Sequence, residues 1–472
     1  MTPTMRVPMS WLAGVLFVAG VIFVPASAQQ APTIKDAAKE RRARFAARIS
    51  EGIAIIQSVD RGQPNIYEFF VPETEQHDFL YLTGMVKPQL PGSVLVLNPH
   101  GETHKEVLYT ADDVETVKRE TGIEHVFPHE KFLEDLSSAI TDFRNLRITQ
   151  LRFKPVASDI SRGWGDGKKV VYFNYPRFTN LNEPSNPRMG LVTRLQEASP
   201  EIEMRDAADI LDRLRMIQDA YSLAQLRRAI EITGKGLMEA MRMARPGLTT
   251  KEVMEYADFI YRLNGARLGF PTGVLAGQQR AEVHATAREE MEAREGSILI
   301  RPGDIVWFDT GAEYNRHSAD IQRQVPADGT FTPAQRAFYE IVLDVQKTVI
   351  SRVRPGATWW ELHDLAMKML ADAGGYDKTY TYGIGHFIGM EVHDHGDYVG
   401  PLQPGMVISI EQGAVTPDGL RIAFEDDVLV TETGHEWLTR FIPIEADEIE
   451  KLKTEPPLFD LGRLLVRPGG GR

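Results

Sequence analysis

Two aspartates, a histidine and two glutamates in the C-terminal half of the sequence have the types and neighbours that a hydrolytic metal site needs. Asp309 and Asp320 stand on two alternating, strand-like runs, 304–311 and 318–325. Between them Tyr314-Asn315 can form a two-residue hairpin turn, Asn tolerating positive φ. That register sets residue 309 opposite 320, with Cβ atoms about 5 Å apart. Like charges so placed repel unless a cation lies between them. The alternative is a pair of solvated carboxylates on an edge hairpin.

Further along, Gly383-x-Gly385-His386 precedes His393-Asp394. Glycine allows close backbone approach, and a neutral imidazole is a common metal ligand. Glu411 ends an apolar strand-like run, 406–410. Glu425 interrupts another, 421–430, where a carboxylate is costly to bury unless it is paired or metal-bound. Its neighbours Asp426 and Asp427 read as charges on an exposed edge strand. Three or four carboxylates with one imidazole make a hard, oxygen-rich site. That donor set suits Mn, Co or Zn in a two-metal arrangement better than Mg. Two ions about 3.5–4 Å apart can bridge a water as hydroxide and polarise a carbonyl. The residues alone therefore point to a metal-assisted hydrolase.

The elements that position these residues repeat. Arg245-Pro246-Gly247-x-Thr249-x-x-Glu252 recurs as Arg354-Pro355-Gly356-x-Thr358-x-x-Glu361. Each copy is a Pro-Gly turn followed by a Thr-x-x-Glu capping box, and so starts a helix. Another helix precedes each copy, from near Ala224 and near Ala334. Pro302-Gly303 then leads to Asp309-x-Gly311, and Pro404-Gly405 leads at the same spacing to Glu411-x-Gly413. Two such units can pack about a pseudo-twofold axis, sheets inside and helices outside, bringing carboxylates to the shared middle.

Upstream, residues 40–205 read as an α/β domain with a helix over 41–49, strands near 52–57, 93–97, 107–110 and 170–173, and a helix over 132–143. A charged helical stretch over 206–218 bridges to the second half. The predicted organisation is a leader over 1–28, an N-terminal domain over 29–205, a catalytic domain over 206–452 and an extended tail over 453–472. The leader has Arg6, an apolar stretch from Trp11 to Val24 and Ala26-x-Ala28 as a cleavage signature. The stretch is short for a span, although an uncleaved anchor is the other reading. Loss of Arg6 takes the net charge from −13 to −14.

The chain has 472 residues, 43% of them hydrophobic, which fits a globular protein of two domains. Its acidity disfavours a nucleic-acid partner, which needs a basic footprint. With no cysteine it has no thiol nucleophile, disulfide or Cys-based zinc site. An exported, disulfide-free chain of this size fits a bacterial periplasm.

The residues resemble the creatinase/prolidase/aminopeptidase P superfamily of pita-bread metallopeptidases. The resemblance lies in Asp309-Thr-Gly-Ala-Glu-Tyr314 with Asp320-Ile-Gln-Arg323, in Gly383-Ile-Gly-His386 with Val392-His393-Asp394, in Pro404-Gly-Met-Val407 with Ile410-Glu411-Gln-Gly413, and in Glu425-Asp-Asp-Val-Leu-Val-Thr431. Phe79-Leu-Tyr-Leu-Thr-Gly84 is similar to the signature of the creatinase-like N-terminal domain. The implied fold is an α/β creatinase-like N-terminal domain followed by an α+β pita-bread catalytic domain with an internal pseudo-twofold repeat.

The resemblance also implies roles. Asp320 and Glu425 would bridge two metal ions, Asp309 completing one shell and His386 with Glu411 the other. Glu411 would pass the water's proton to the leaving amine. His393 would hydrogen-bond the substrate carbonyl, and His284 would be the second substrate-side histidine. The implied activity is that of an exported Xaa-Pro aminopeptidase using manganese, with zinc or cobalt as alternatives. It would act on peptides as a homo-oligomer with no membrane span after leader cleavage. The alternatives are an Xaa-Pro dipeptidase, a related peptidase without strict proline preference, a metal-free creatinase-like hydrolase and a non-catalytic pita-bread binding module. Three positions depart from the pattern: Tyr382 for His, Gln322 for Thr, and Ala423 for an Arg whose role Arg421 could take from four places before Glu425.

Overall fold

The computed structural model describes residues 32–58, 77–85, 92–145, 154–164, 169–176, 186, 188–277, 297–380 and 383–460. The leader and His284 lie outside the described residues. Among those described, no helix is long and apolar enough to cross a membrane.

The N-terminal half is built on a six-stranded mixed sheet. Its strands are β1 (Ile53–Gln57), β2 (Val94–Leu97), β3 (Glu106–Thr110), β4 (His125–Pro128), β5 (Lys169–Phe173) and β6 (Ile202–Asp206), in the order β4-β3-β2-β1-β5-β6. Alternate residues of one strand enter different cores. Ala54 and Ile56 join the cluster with Phe79 and Leu82, while Ile53 and Ile55 join the one with Phe132 and Trp164. A strand buried on both faces must be apolar at every position, hence Ile-Ala-Ile-Ile.

Two predicted helices shift. The first spans Ile34–Ala46, because Thr33 and Asp36 form a capping box ahead of the expected start. The stretch over 206–218 divides into the end of β6, a helix over Ala208–Arg215 and a break. Asp219 then caps a long helix, Ala220–Met243, by accepting from the Ser222 amide.

The repeat appears in the C-terminal half as matched geometry. Capping boxes Thr249/Glu252 and Thr358/Glu361 open helices Thr250–Leu263 and Trp359–Asp372. The helices before them are Ala220–Met243 and Pro333–Ile350. The loops match as well. The Gly247 amide donates to Ile300 O and the Ile300 amide to Leu248 O; likewise Gly356 donates to Leu402 O and Leu402 to Ala357 O.

Between these helix pairs lie β7 (Arg267–Leu268), β8 (Gly273–Ala276), β9 (Ile305–Thr310), β10 (Ala312–Tyr314), β11 (His317–Ser318), β12 (Ile321–Pro326), β13 (Val407–Val415), β14 (Arg421–Val430) and β15 (His435–Trp437). The main sheet runs β13-β14-β12-β9-β8, with β15 on β14. Its centre is the β12–β14 contact, so β9 and β13 are symmetry-like partners on either side. One face presents Val306, Phe308, Ile321, Val325, Ile422, Phe424, Val428, Ile408 and Ile410 to the core under the helices. The other face, by strand parity, carries the carboxylates.

Three details differ from the sequence reading. Strand β13 does not stop at residue 410; Glu411 lies in its middle. Asp426 and Asp427 are not on an exposed edge, and both are fully buried in β14. The tail starts at Glu455, already extended, rather than at 453. The helix over Ala446–Thr454 continues past 453, and Leu458, Phe459 and Asp460 then bond Glu239, Tyr256 and Arg245.

Candidate metal centre

Strand register puts four polar side chains in one row. Asp309 pairs with Gln322, Gln322 with Glu425, and Glu425 with Glu411, across β9, β12, β14 and β13. Asp309 is therefore not opposite Asp320, as the sequence suggested. The turn is Asn315-Arg316, both at positive φ (48° and 65°), with Tyr314 paired to His317. A bulky Tyr at that φ would be strained, so the turn moves one residue along. The register shifts by two, which preserves the face. Asp320 thus becomes the diagonal neighbour of Asp309, still on the carboxylate side.

Two glycines allow the close approaches this needs. A Cβ on Gly311 would lie 1.8 Å from Ala319 O, where the hairpin bends toward Asp320. Gly385, at φ 144°, would put a Cβ 2.0 Å from Ser409 O. Without one, the segment before His386 can lie along β13, the Ser409 amide donating to His386 O at 2.7 Å and the Glu411 amide to Ile384 O at 3.0 Å.

His386 Nδ1 lies 3.2 Å from Phe387 O, so with its proton there Nε2 turns a lone pair to the carboxylates. Nε2 is 3.2 Å from Glu425 Oε1 and 3.6 Å from Asp320 Oδ2. Three groups place their ligand atoms within 4.8 Å of one another: Asp309–Asp320–Glu425, His386–Glu411–Glu425 and Asp320–His386–His393. Glu425, Asp320 and His386 each belong to two of them. The His393 ring lies 3.9 Å from that of His386, with an exposed edge.

The electrostatics of the protein alone are unfavourable. Burial, and then the Glu425 charge, raise Asp320 well above the carboxylate range and push Glu411 up to about 8. Burial by itself would lower His386, but its bonds to Asp320 and Glu425 outweigh that and raise it. Burial first, then His386, lower His393. Asp320 Oδ1 is buried and has no hydrogen-bond partner in the protein. Crowded carboxylates, one orphaned buried oxygen and an imidazole lone pair together fit divalent cations.

The structure adds contacts that sequence reasoning missed. Gln322 Nε2 donates to Glu425 Oε2 at 2.7 Å, and Trp307 Nε1 donates to Gln322 Oε1 at 3.3 Å. Ser409 Oγ donates to Glu425 Oε1 at 2.6 Å. On the opposite face, Arg323 bonds Asp426 at 2.5 Å and both are fully buried. Thr439 and Gln346 also donate to Asp426. The signal for that pair was present: Arg323 and Asp426 occupy the apolar parity of β12 and β14. Gln324 bonds both backbone groups of Ala423, and the charge of buried Arg421 only slightly opposes the rise of Glu411 caused by burial and Glu425. Tyr382 lies outside the described residues.

The chain is similar to known proteins in both halves. Residues 224–432 match the model of metallopeptidase family M24, and residues 38–146 match the aminopeptidase P N-terminal domain. Xaa-Pro aminopeptidase 2 of Streptomyces coelicolor is 32% identical over 55% of this chain, a match spanning 62% of that relative's length. Xaa-Pro dipeptidase of Pyrococcus furiosus is 31% identical over 53% of this chain and 70% of its own. The structure of aminopeptidase P from E. coli with the inhibitor Pro-Leu superposes with a TM-score of 0.69, at 25% identity, covering 89% of this chain and 98% of that one. With both domains matched and the two-domain fold shared, the chain belongs to metallopeptidase family M24.

Proposed function

We propose that the protein is an exported exopeptidase that binds two divalent metal ions, preferably manganese, and cleaves the bond between an N-terminal residue and proline. The observation that carries this reading is the pair of ligand groups sharing Glu425, with Asp320 common to two groups. Asp309, Asp320, His386, Glu411 and Glu425 would hold the ions. Metal bound there would supply an activated water and polarisation of the scissile carbonyl.

The chain's own groups do the rest. Glu411 takes a proton from the attacking water and delivers it to the departing prolyl nitrogen. His393, kept neutral by the neighbouring His386, donates a ring N–H to the substrate carbonyl oxygen as negative charge develops there. Gln322 and Ser409 hold the Glu425 carboxylate from both of its oxygens. His284 is assigned to the substrate side on the sequence resemblance.

The test is incubation of the manganese-loaded mature protein with Xaa-Pro dipeptides, Xaa-Pro-Yaa tripeptides and proline-free controls. Release of the N-terminal residue from tripeptides supports the aminopeptidase reading. Cleavage of dipeptides alone favours the dipeptidase reading, to which the 31% identity with a dipeptidase also points. Absence of turnover on every peptide would overturn both. Export is part of the proposal: the protein recovered from the periplasm should begin at Gln29 and migrate as a homo-oligomer.

A further inference from the structure

We infer that Arg215 is a positioning residue that ties the N-terminal half of the chain to the segment carrying His393. Arg215 ends the helix Ala208–Arg215 and is almost completely buried. Its Nη1 donates to Asp78 Oδ1 at 2.9 Å; its Nη2 donates to Glu391 Oε1 at 2.9 Å and to Asp394 Oδ1 at 2.6 Å. Asp78 lies on the helix His77–Thr83, beside the β1 sheet of the N-terminal half. Glu391 and Asp394 flank His393 in sequence. His77 adds a second link to Glu391, at 3.3 Å.

Burying three carboxylates around one guanidinium is costly unless each is bonded. Two of the three bonds fix pieces of the same short segment, and the third anchors the guanidinium to Asp78 in the N-terminal half. Asp394 also accepts from the Met390 and His395 amides, at 2.9 and 2.8 Å. A Cβ on Gly389 would lie 2.1 Å from Asp394 Oδ2 and would displace that carboxylate from its present bonds. The other edge of the segment is held by the sheet. The Ile388 amide bonds Val407 O of β13, while the Asp394 amide bonds Phe387 O within the segment and the Ser318 amide of β11, in the smaller sheet, bonds Gly389 O. His393 thus projects from a segment fixed by the metal-bearing sheet on one side and by Arg215 on the other. The planar guanidinium can span three carboxylates; an ammonium is a point charge and cannot.

The inference rests on the peptidase reading above for its kinetic arm. In Arg215→Lys, kcat should fall tenfold or more on whichever Xaa-Pro peptide the wild type cleaves. KM should stay within about twofold, and bound manganese per chain should be unchanged. Hydrogen exchange should rise over residues 388–395 and stay unchanged in β13 and β14. Should Arg215→Lys fail to fold, Asp78→Asn removes one charge from the far domain and should give a smaller change in the same direction in both readouts. Unchanged exchange and kcat would overturn the inference. So would exchange raised throughout the catalytic sheet, or manganese lost in step with kcat. A wild type inactive on all peptides would overturn the proposed function instead, and the exchange measurement would still decide the role of Arg215.

Discussion

Glu411 and Glu425 are direct cross-strand partners on β13 and β14, two carboxylates facing each other inside the sheet. Such a pair weakens a sheet on its own. A cation held between the two carboxylates would offset that cost.

Metal should therefore stabilise the fold. At a hundredfold excess over its Kd, a ligand binding only the folded state contributes about 2.7 kcal/mol. We expect manganese to raise the melting temperature by several degrees over the chelated protein. Glu425→Gln should melt higher than wild type in chelator and respond less to manganese. An equal manganese response in the two proteins would remove Glu425 from the ligand set.

His393 should matter to rate and not to metal. His393→Ala is expected to lower kcat by about 10²–10³, the range for losing one donor to a developing oxyanion. Bound manganese, measured by elemental analysis, should be retained. An unchanged kcat would count against that role.

Gln322 should tune affinity. It donates to Glu425 while accepting from Trp307. Partners that orient a ligand typically contribute 10–100-fold in metal affinity. Competition with a chelating dye should show Gln322→Ala weaker in that range. Gln322→Thr, which keeps a donor, a short hydroxyl, at the position, should lose less. Equal affinity in all three would make the amide irrelevant to the site.

The pattern of side-chain types carried much of this into the sequence. The paired Pro-Gly and Thr-x-x-Glu signals foretold both helix starts, because caps and turns are local chemistry. The alternation in β14 separated Ile422, Phe424 and Val428 from Glu425. What the sequence did not carry was tertiary. The hairpin register depended on which residues accept positive φ, and Asn315-Arg316 took the turn. Asp426 looked solvent-facing because its partner Arg323 lies 103 residues away in sequence. The Arg215 cluster likewise joins residues from three distant segments, which no local pattern records.

A last expectation concerns pH. Asp258 is buried, and that burial raises its pKa from 3.8 to about 6, although Thr272 Oγ1 donates to it at 2.8 Å. A carboxyl with a raised folded pKa holds its proton more tightly in the folded state. Its stabilising contribution is complete below about pH 3.8 and is lost as pH rises through about 6. Above that range the charged group costs the fold up to roughly 3 kcal/mol, at about 1.36 kcal/mol per unit. Asn at this position can still accept from Thr272 and carries no charge. Asp258→Asn should therefore match wild type at pH 4 and melt higher at pH 8, in chelator so that metal linkage does not contribute. A gain that is largest at pH 4 would mean that Asp258 is stabilised as the carboxylate, by Arg262 at 3.5 Å, against the cost of its burial.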